Sequence, residues 1–211
     1  MNFGETTLKK KNGMKSTAWS KVVYVTILLS TLIANDTLQV DIINSTINWE
    51  GRKVTGEHSG TLKLSTGWVV MNKTTLIDGK LIFDMSSISN TDIESPEWSQ
   101  KLENHLKAED FFYVDSFPYA ILEIKGNQPL SDNKSKANNQ ILADLTIRGI
   151  TKEISLPILI QQSDSNFSAI GTIDIDRTLY NIQYKSGKFF EKLGDKMIYD
   201  DFTIQFVLTT R

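Results

Sequence analysis

The sequence predicts an all-β domain of about eight antiparallel strands, closed as a barrel or stacked as a sandwich, with one helix. Three observations carry this. Apolar and polar residues alternate at period two through most of the chain after residue 38, the pattern of strands with one face on a core. Turn-like stretches such as SDNKSKANN (residues 131–139) separate the runs. One segment near residue 100 changes to helical spacing.

In chain order, residues 38–49, 58–64, 76–85 and 119–125 read as strands. Residues 141–147 place Ile141, Ala143, Leu145 and Ile147 on one face, and residues 153–160 do the same with Ile154, Leu156, Ile158 and Ile160. Residues 166–174 align Phe167, Ala169, Gly171 and Ile173; residues 201–208 align Phe202, Ile204, Phe206 and Leu208. Pro157 cannot donate a ladder hydrogen bond, so its strand is expected to be bent, bulged or at an edge. In the helix Ser95 is placed to cap, Pro96 suits the first position and Glu97 faces the positive end of the dipole. Trp98, Leu102, His105 and Leu106 then follow at i, i+4, i+7 and i+8, one stripe about 100° wide. Lys101, Glu103 and Lys107 face elsewhere. No internal repeat and no linker divides the chain, which reads as one domain over residues 35–211.

The first 34 residues differ. Lys9, Lys10, Lys11, Lys15 and Lys21 precede the uncharged run VVYVTILLSTLIA, residues 22–34. A basic start and a short apolar run are the pattern of a secretory signal, and the run is short for a bilayer-spanning helix. The expectation is cleavage after Ala34 and a periplasmic or secreted domain; the alternative is an uncleaved anchor that keeps the domain near the membrane. Without this segment the chain has 18 basic and 24 acidic residues, a net charge of −6. That balance points away from nucleic acid and from anionic membrane surfaces. The absence of cysteine excludes disulfides, thiolate metal sites and thiol catalysis.

Catalytic patterns are sparse. His58 and His105 are the only histidines. HExxH and HxH are missing, as are GxSxG and a glycine-rich phosphate loop. The carboxylate pairs Glu109/Asp110, Asp174/Asp176 and Asp200/Asp201 read as turn and surface residues. No catalytic set, metal or cofactor is expected, although a hydrolase or isomerase assisted by a metal or by histidine would need His58 and His105 to converge. The residues left over are apolar and aromatic. A barrel of this size is either filled by its own side chains, as a structural module, or holds one small ligand. Strands of about eight residues give an interior roughly 26 Å long at ~3.3 Å per residue, suited to an extended lipid tail.

Five stretches in order carry a family resemblance: INWEGRKVTGEHSG, GKLIFDMSSI, KLENHLKAEDFFYVDSFPYA, ADLTIRGITKEISLP and IDIDRTLYNIQY. Together they resemble the YceI-like family over roughly residues 38–209. Ala143 stands where the family has glycine, and Asn181 where glycine is common. The resemblance implies an eight-stranded antiparallel lipocalin-like barrel with one helix near its mouth, enclosing an apolar cavity for polyisoprenoids or other long-chain amphiphiles. On that reading Trp49, Phe83, Trp98, Leu102, Leu106, Phe111, Leu145 and Phe190 are cavity candidates. His58, His105 and Arg177 are candidates for the polar end of an isoprenoid, quinone-like or fatty ligand. Transient membrane contact and a homodimer are compatible with it.

Overall fold

Residues 35–130, 136–163 and 166–211 are described by the structure, a computed structural model; the leader expected in residues 1–34 lies outside the described residues. The period-two segments form β1 (Asp36–Gln39), β2 (Thr46–Lys53), β3 (Gly56–Asn72), β4 (Thr75–Asn90), β5 (Tyr119–Pro129), β6 (Asn139–Ile147), β7 (Ile150–Ser163), β8 (Asn166–Asp176) and β9 (Ile198–Thr209). Each adjacent pair is antiparallel, in the order β1-β3-β2-β9-β8-β7-β6-β5-β4, and β3 also pairs with β4. That last pairing closes the sheet, so the fold is a barrel and not a sandwich.

Among the described residues nine strands fill eight positions. β1 pairs with Trp68–Met71 of β3, while β2 pairs with the earlier part of β3 along the same edge. The two are one strand position interrupted at residues 41–45. Asp41 causes the interruption: its Oδ1 accepts from the amides of Ile43 (3.0 Å) and Asn44 (3.1 Å), and its Oδ2 from Asn44 Nδ2 (2.7 Å). Such an Asx turn competes with the ladder. The continuous strand expected over residues 38–49 is therefore broken.

β3 and β4 are longer than the sequence suggests. Their ladder shifts register between Thr61 and Lys63, between Leu64 and Thr66, and between Val70 and Met71. Bulges of this kind bend long strands around a small barrel. The Ser65–Thr66–Gly67 stretch, which ends the alternation in sequence, is crossed by one of them. A Cβ on Gly67 would stand 2.7 Å from Leu81 Cδ2, so its bare Cα is what admits that neighbour.

Pro157 stands at a discontinuity. β7 pairs with β6 from Ile150 to Ile158, but with β8 only from Ile158 to Ser163. The edges of β7 before Ile158 and of β8 after Gly171 are not paired with each other. Pro157 sits one residue short of that ladder, where a missing N–H is tolerated.

The helix α1 (Pro96–Lys107) follows β4 and packs against it. Pro96 does occupy the first turn, but Ser95 makes no side-chain cap hydrogen bond. Glu103 does not face away: its Oε1 accepts from the Asn90 amide at 2.8 Å and ties the helix to the end of β4. Among the described residues, no helix is long and apolar enough to cross a membrane.

Candidate functional site

The inward faces of the strands leave space between them. Fully buried apolar residues fall into three clusters, and Leu122 packs against all three while remaining only partly buried itself. Phe83, Ile173, Ile204 and Phe206 are likewise inward yet incompletely covered. Their uncovered area borders an internal cavity of about 220 Å³. It runs from Leu106, Phe111 and Phe112 at the helix end of the barrel to Met71, Leu76 and Phe167 at the opposite end. Its wall is aliphatic and aromatic; Ser168, Thr209 and Thr210 bear its only hydroxyls, and no charged residue lines it.

A packed protein interior has few voids larger than a water. At about 24 cal/mol per Å³, a dry void of this size costs on the order of 5 kcal/mol. That is comparable with the whole stability of a small domain, ~5–15 kcal/mol.

The helix end is closed by the segment after α1. The amides of Phe112, Tyr113 and Val114 donate back to Leu106, Ala108 and Lys107, and Tyr113 takes φ 49°. This tight turn drives Phe111 and Val114 into the core and sets Phe112 edge-on to Phe202 at 6.0 Å. On the other side, the Trp49 indole donates to the Ser89 carbonyl at 3.2 Å. The ring lies across Gly60, where a Cβ would stand 2.6 Å from Trp49 Cζ2. Gly171 does the same for Phe206, with 2.5 Å to Cζ.

Five sequence candidates therefore meet at the cavity wall: Trp49, Phe83, Leu106, Phe111 and Leu145. The others do not. Trp98 is 57% exposed and carries Lys101 over its ring at 4.7 Å. Leu102 is half-buried beneath the helix and off the wall; Phe190 is 49% exposed on a surface loop. His58 Nδ1 meets Asp92 at 2.9 Å, on the outer end of the β3–β4 ladder. His105 Nε2 meets Asp110 at 2.7 Å, and its ring is bracketed edge-on by Phe111 and Tyr184. The two histidines thus have separate carboxylate partners. Among the described residues, no group of three or more His, Cys, Asp or Glu side chains could hold a metal ion.

Arg177 is buried (3% exposed) and off the cavity wall. It opens a 3-10 turn, Arg177–Tyr180, directly after β8. Its Nε donates to the Tyr199 carbonyl (3.1 Å), Nη1 to Ile182 (2.8 Å) and Nη2 to Ile198 (3.1 Å); Asp200 lies 3.6 Å from Nη2. Burial pulls the guanidinium down from its ordinary value, while Asp200 and Asp176 push it up. Asp176 caps the turn by accepting from the Thr178 amide (2.9 Å) and hydroxyl (2.6 Å), and Lys188 Nζ reaches its other oxygen at 2.7 Å. Burial opposes its ionisation, but Lys188 and Thr178 outweigh that and hold it below the usual carboxylate range.

Tyr180 ends the same turn, 1% exposed, with a hydroxyl that has no hydrogen-bond partner. Burial pushes it up to about 12. Below about pH 10 the phenol is neutral folded or unfolded; above that the unfolded chain ionises first, so stability falls as pH rises toward 12. We expect Tyr180→Phe to change stability at neutral pH by no more than about 1 kcal/mol, because no hydrogen bond is lost. It should also reduce the alkaline loss, as measured by thermal unfolding of both proteins at about pH 8 and about pH 11. Equal alkaline losses in the two would place the sensitivity elsewhere.

Sequence reasoning missed the half of the wall farthest from the helix, including Val69, Met71 and Leu76. Their alternation is interrupted by the bulges of β3 and β4. Ile154, Leu156, Ile158 and Ile160 carried a signal, since they formed one face of an alternating run, and all four line the cavity.

The barrel resembles solved structures of low sequence identity. BcnA of Burkholderia cenocepacia is 18% identical, with a TM-score of 0.65 over 82% of this chain and 99% of that one. A polyisoprenoid binding domain from Saccharophagus degradans, implicated in plant cell wall breakdown, is 14% identical, with a TM-score of 0.55 over 85% and 98%. These likenesses show the fold. No curated protein matches the chain. The YceI-like domain matches residues 38–210, nearly the whole barrel, and the chain belongs to the YceI-like family.

Proposed function

We propose that the barrel binds and carries a long-chain amphiphile, an isoprenoid, quinone-like or fatty molecule, without chemical conversion. The observation that carries this is the uncharged apolar cavity running between the barrel ends. Removing apolar surface from water supplies affinity at about 25 cal/mol per Å² before the costs of binding. The polyisoprenoid binding domain among the solved structures supports the same ligand class. Trp49, Phe83, Leu106, Phe111 and Leu145 are the contacts we assign to the chain of the ligand. Mass spectrometry of an organic extract of the purified protein is expected to show a bound lipid, and delipidated protein is expected to take up an added polyisoprenol. Repeated extracts without lipid, together with no uptake, would overturn the reading.

We further propose that the protein acts outside the cytoplasm. The support is the basic start and apolar run of residues 1–34. Intact mass after bacterial expression is expected to reveal a species shortened near Ala34 in the osmotic-shock fraction. Full-length protein in the membrane pellet would instead favour the anchor and leave the lipid-binding reading untouched.

A further inference from the structure

Net charge −6 for residues 35–211 hides a local reversal. Residues 181–197 hold four lysines against two acids. They follow the Arg177–Tyr180 turn and lead into β9, at the end of the barrel where β7 and β8 part. Phe189 and Phe190 project from this segment, each 49% exposed.

Their exposure is held in place by the backbone. Ser186 is fully buried. Its carbonyl accepts from the amides of Phe189 (3.2 Å) and Phe190 (3.0 Å), and its hydroxyl from the Lys188 amide (3.1 Å). The loop is tied to the barrel where the Ile198 amide donates to Lys185 at 3.0 Å. The Val54 amide donates to Met197 at 3.2 Å, so the tip of the β2–β3 hairpin lies beside the loop. Val54 is itself 44% exposed. Two phenylalanines and a valine are thus presented to solvent by a hydrogen-bonded frame that does not need them there. Large exposed apolar groups on such a frame mark an interaction surface.

The charges around them select the partner. Lys188 is engaged with Asp176 and Asp200 and Lys185 stands over the Tyr184 ring at 5.0 Å; Lys185, Lys192 and Lys196 outnumber Glu191 and Asp195 on the loop. Aromatic rings beside lysines suit the boundary between acyl chains and anionic headgroups. We propose that this loop docks the barrel onto a phospholipid bilayer containing anionic lipid, with Phe189 and Phe190 inserted and Lys185, Lys192 and Lys196 at the headgroups. The proposal rests on the lipid-carrier reading for its purpose. Docking at this end would bring the unpaired edges of β7 and β8 to the source of the ligand.

The chain has no cysteine, so a single one can report on each face. Full-length Glu191→Cys carries an environment-sensitive fluorophore on the loop; full-length Leu142→Cys carries it on the outer wall of β6, where Leu142 is 40% exposed. With vesicles of equal parts phosphatidylglycerol and phosphatidylcholine, the label at 191 is expected to shift to the blue and become shielded from iodide, while the label at 142 stays accessible. Adding Phe189→Ser and Phe190→Ser is expected to weaken vesicle partitioning read at 191 at least about tenfold, and raised salt should weaken it further. Recruitment through residues 1–34 alone would leave the 191 signal insensitive to the two serines, and that outcome overturns the proposal. So does an equal response with pure phosphatidylcholine, or a concentration-dependent shift without vesicles, which would assign the surface to a second copy of the chain. Polyisoprenol uptake measured on the same variants separates the two readings: lost docking with retained uptake sinks this inference alone.

Discussion

Arg177→Met is expected to destabilise the domain by about 3–5 kcal/mol, the range for removing one member of a buried charged network. The wild-type guanidinium donates to three main-chain carbonyls and neighbours Asp200. Methionine would fill much of the space but remove the donor each of those carbonyls takes from the guanidinium, and leave Asp200 with the exposed Lys188 as its remaining cation. Arg177→Lys should recover little, because one ammonium cannot span three carbonyls in a planar fork. Urea unfolding checks both variants. The result also separates two roles for this residue. A guanidinium serving the polar end of a ligand would show intact stability and lost uptake; one that pins the 3-10 turn to the start of β9 would show the reverse order, with unfolding at low urea. Stability within about 1 kcal/mol of wild type would be at odds with the network.

Leu122→Trp should abolish or weaken polyisoprenol uptake by at least about tenfold while the barrel still folds. Leu122 is the one side chain that borders all three core clusters and the cavity between them. An indole there would extend into space a ligand needs. Overpacking a filled core commonly costs about 1–3 kcal/mol, but here the added atoms enter a void and recover contacts that leucine leaves unmade. Melting near the wild-type temperature with uptake lost is therefore the expected pair of results. Undiminished uptake would mean that the cavity is not the binding site, and a large fall in melting temperature would mean that the barrel is already tightly filled at its centre.

How much of this could be read beforehand depends on where the alternation runs unbroken. β6 keeps an unbroken register with β7, and β9 with β8, and the inward residues there, Leu145 and Phe202 to Leu208, were the ones the sequence put on one face. In β3 and β4, three register shifts change which residues turn inward, and a period-two reading cannot follow them. Side-chain chemistry misled in a different way. Trp98 and Phe190 have the composition of cavity residues, but hydrophobicity does not state direction, and both point out. Trp98 completes the stripe with Leu102 and Leu106, yet it lies in the first turn of α1 and is 57% exposed. His105 and Arg177 read as candidates for the polar end of a ligand; only the fold shows that carboxylate, ring and main-chain partners already engage them.

The parted edges of β7 and β8 bear on rates. On one side β7 is held by β6, and on the other β8 is held by β9. Ile154 and Leu156 on one edge and Ile173 and Ile175 on the other line the cavity; the Arg177–Tyr180 turn packs against β7, and Arg148 Nη1 donates to the Asn181 carbonyl at 2.9 Å. Widening this seam breaks no strand-to-strand ladder. A ligand held as proposed would be expected to leave through a sub-global opening of this seam, smaller than global unfolding. On the carrier reading, the residence time of a bound ligand and the melting temperature of the barrel would then be separate properties.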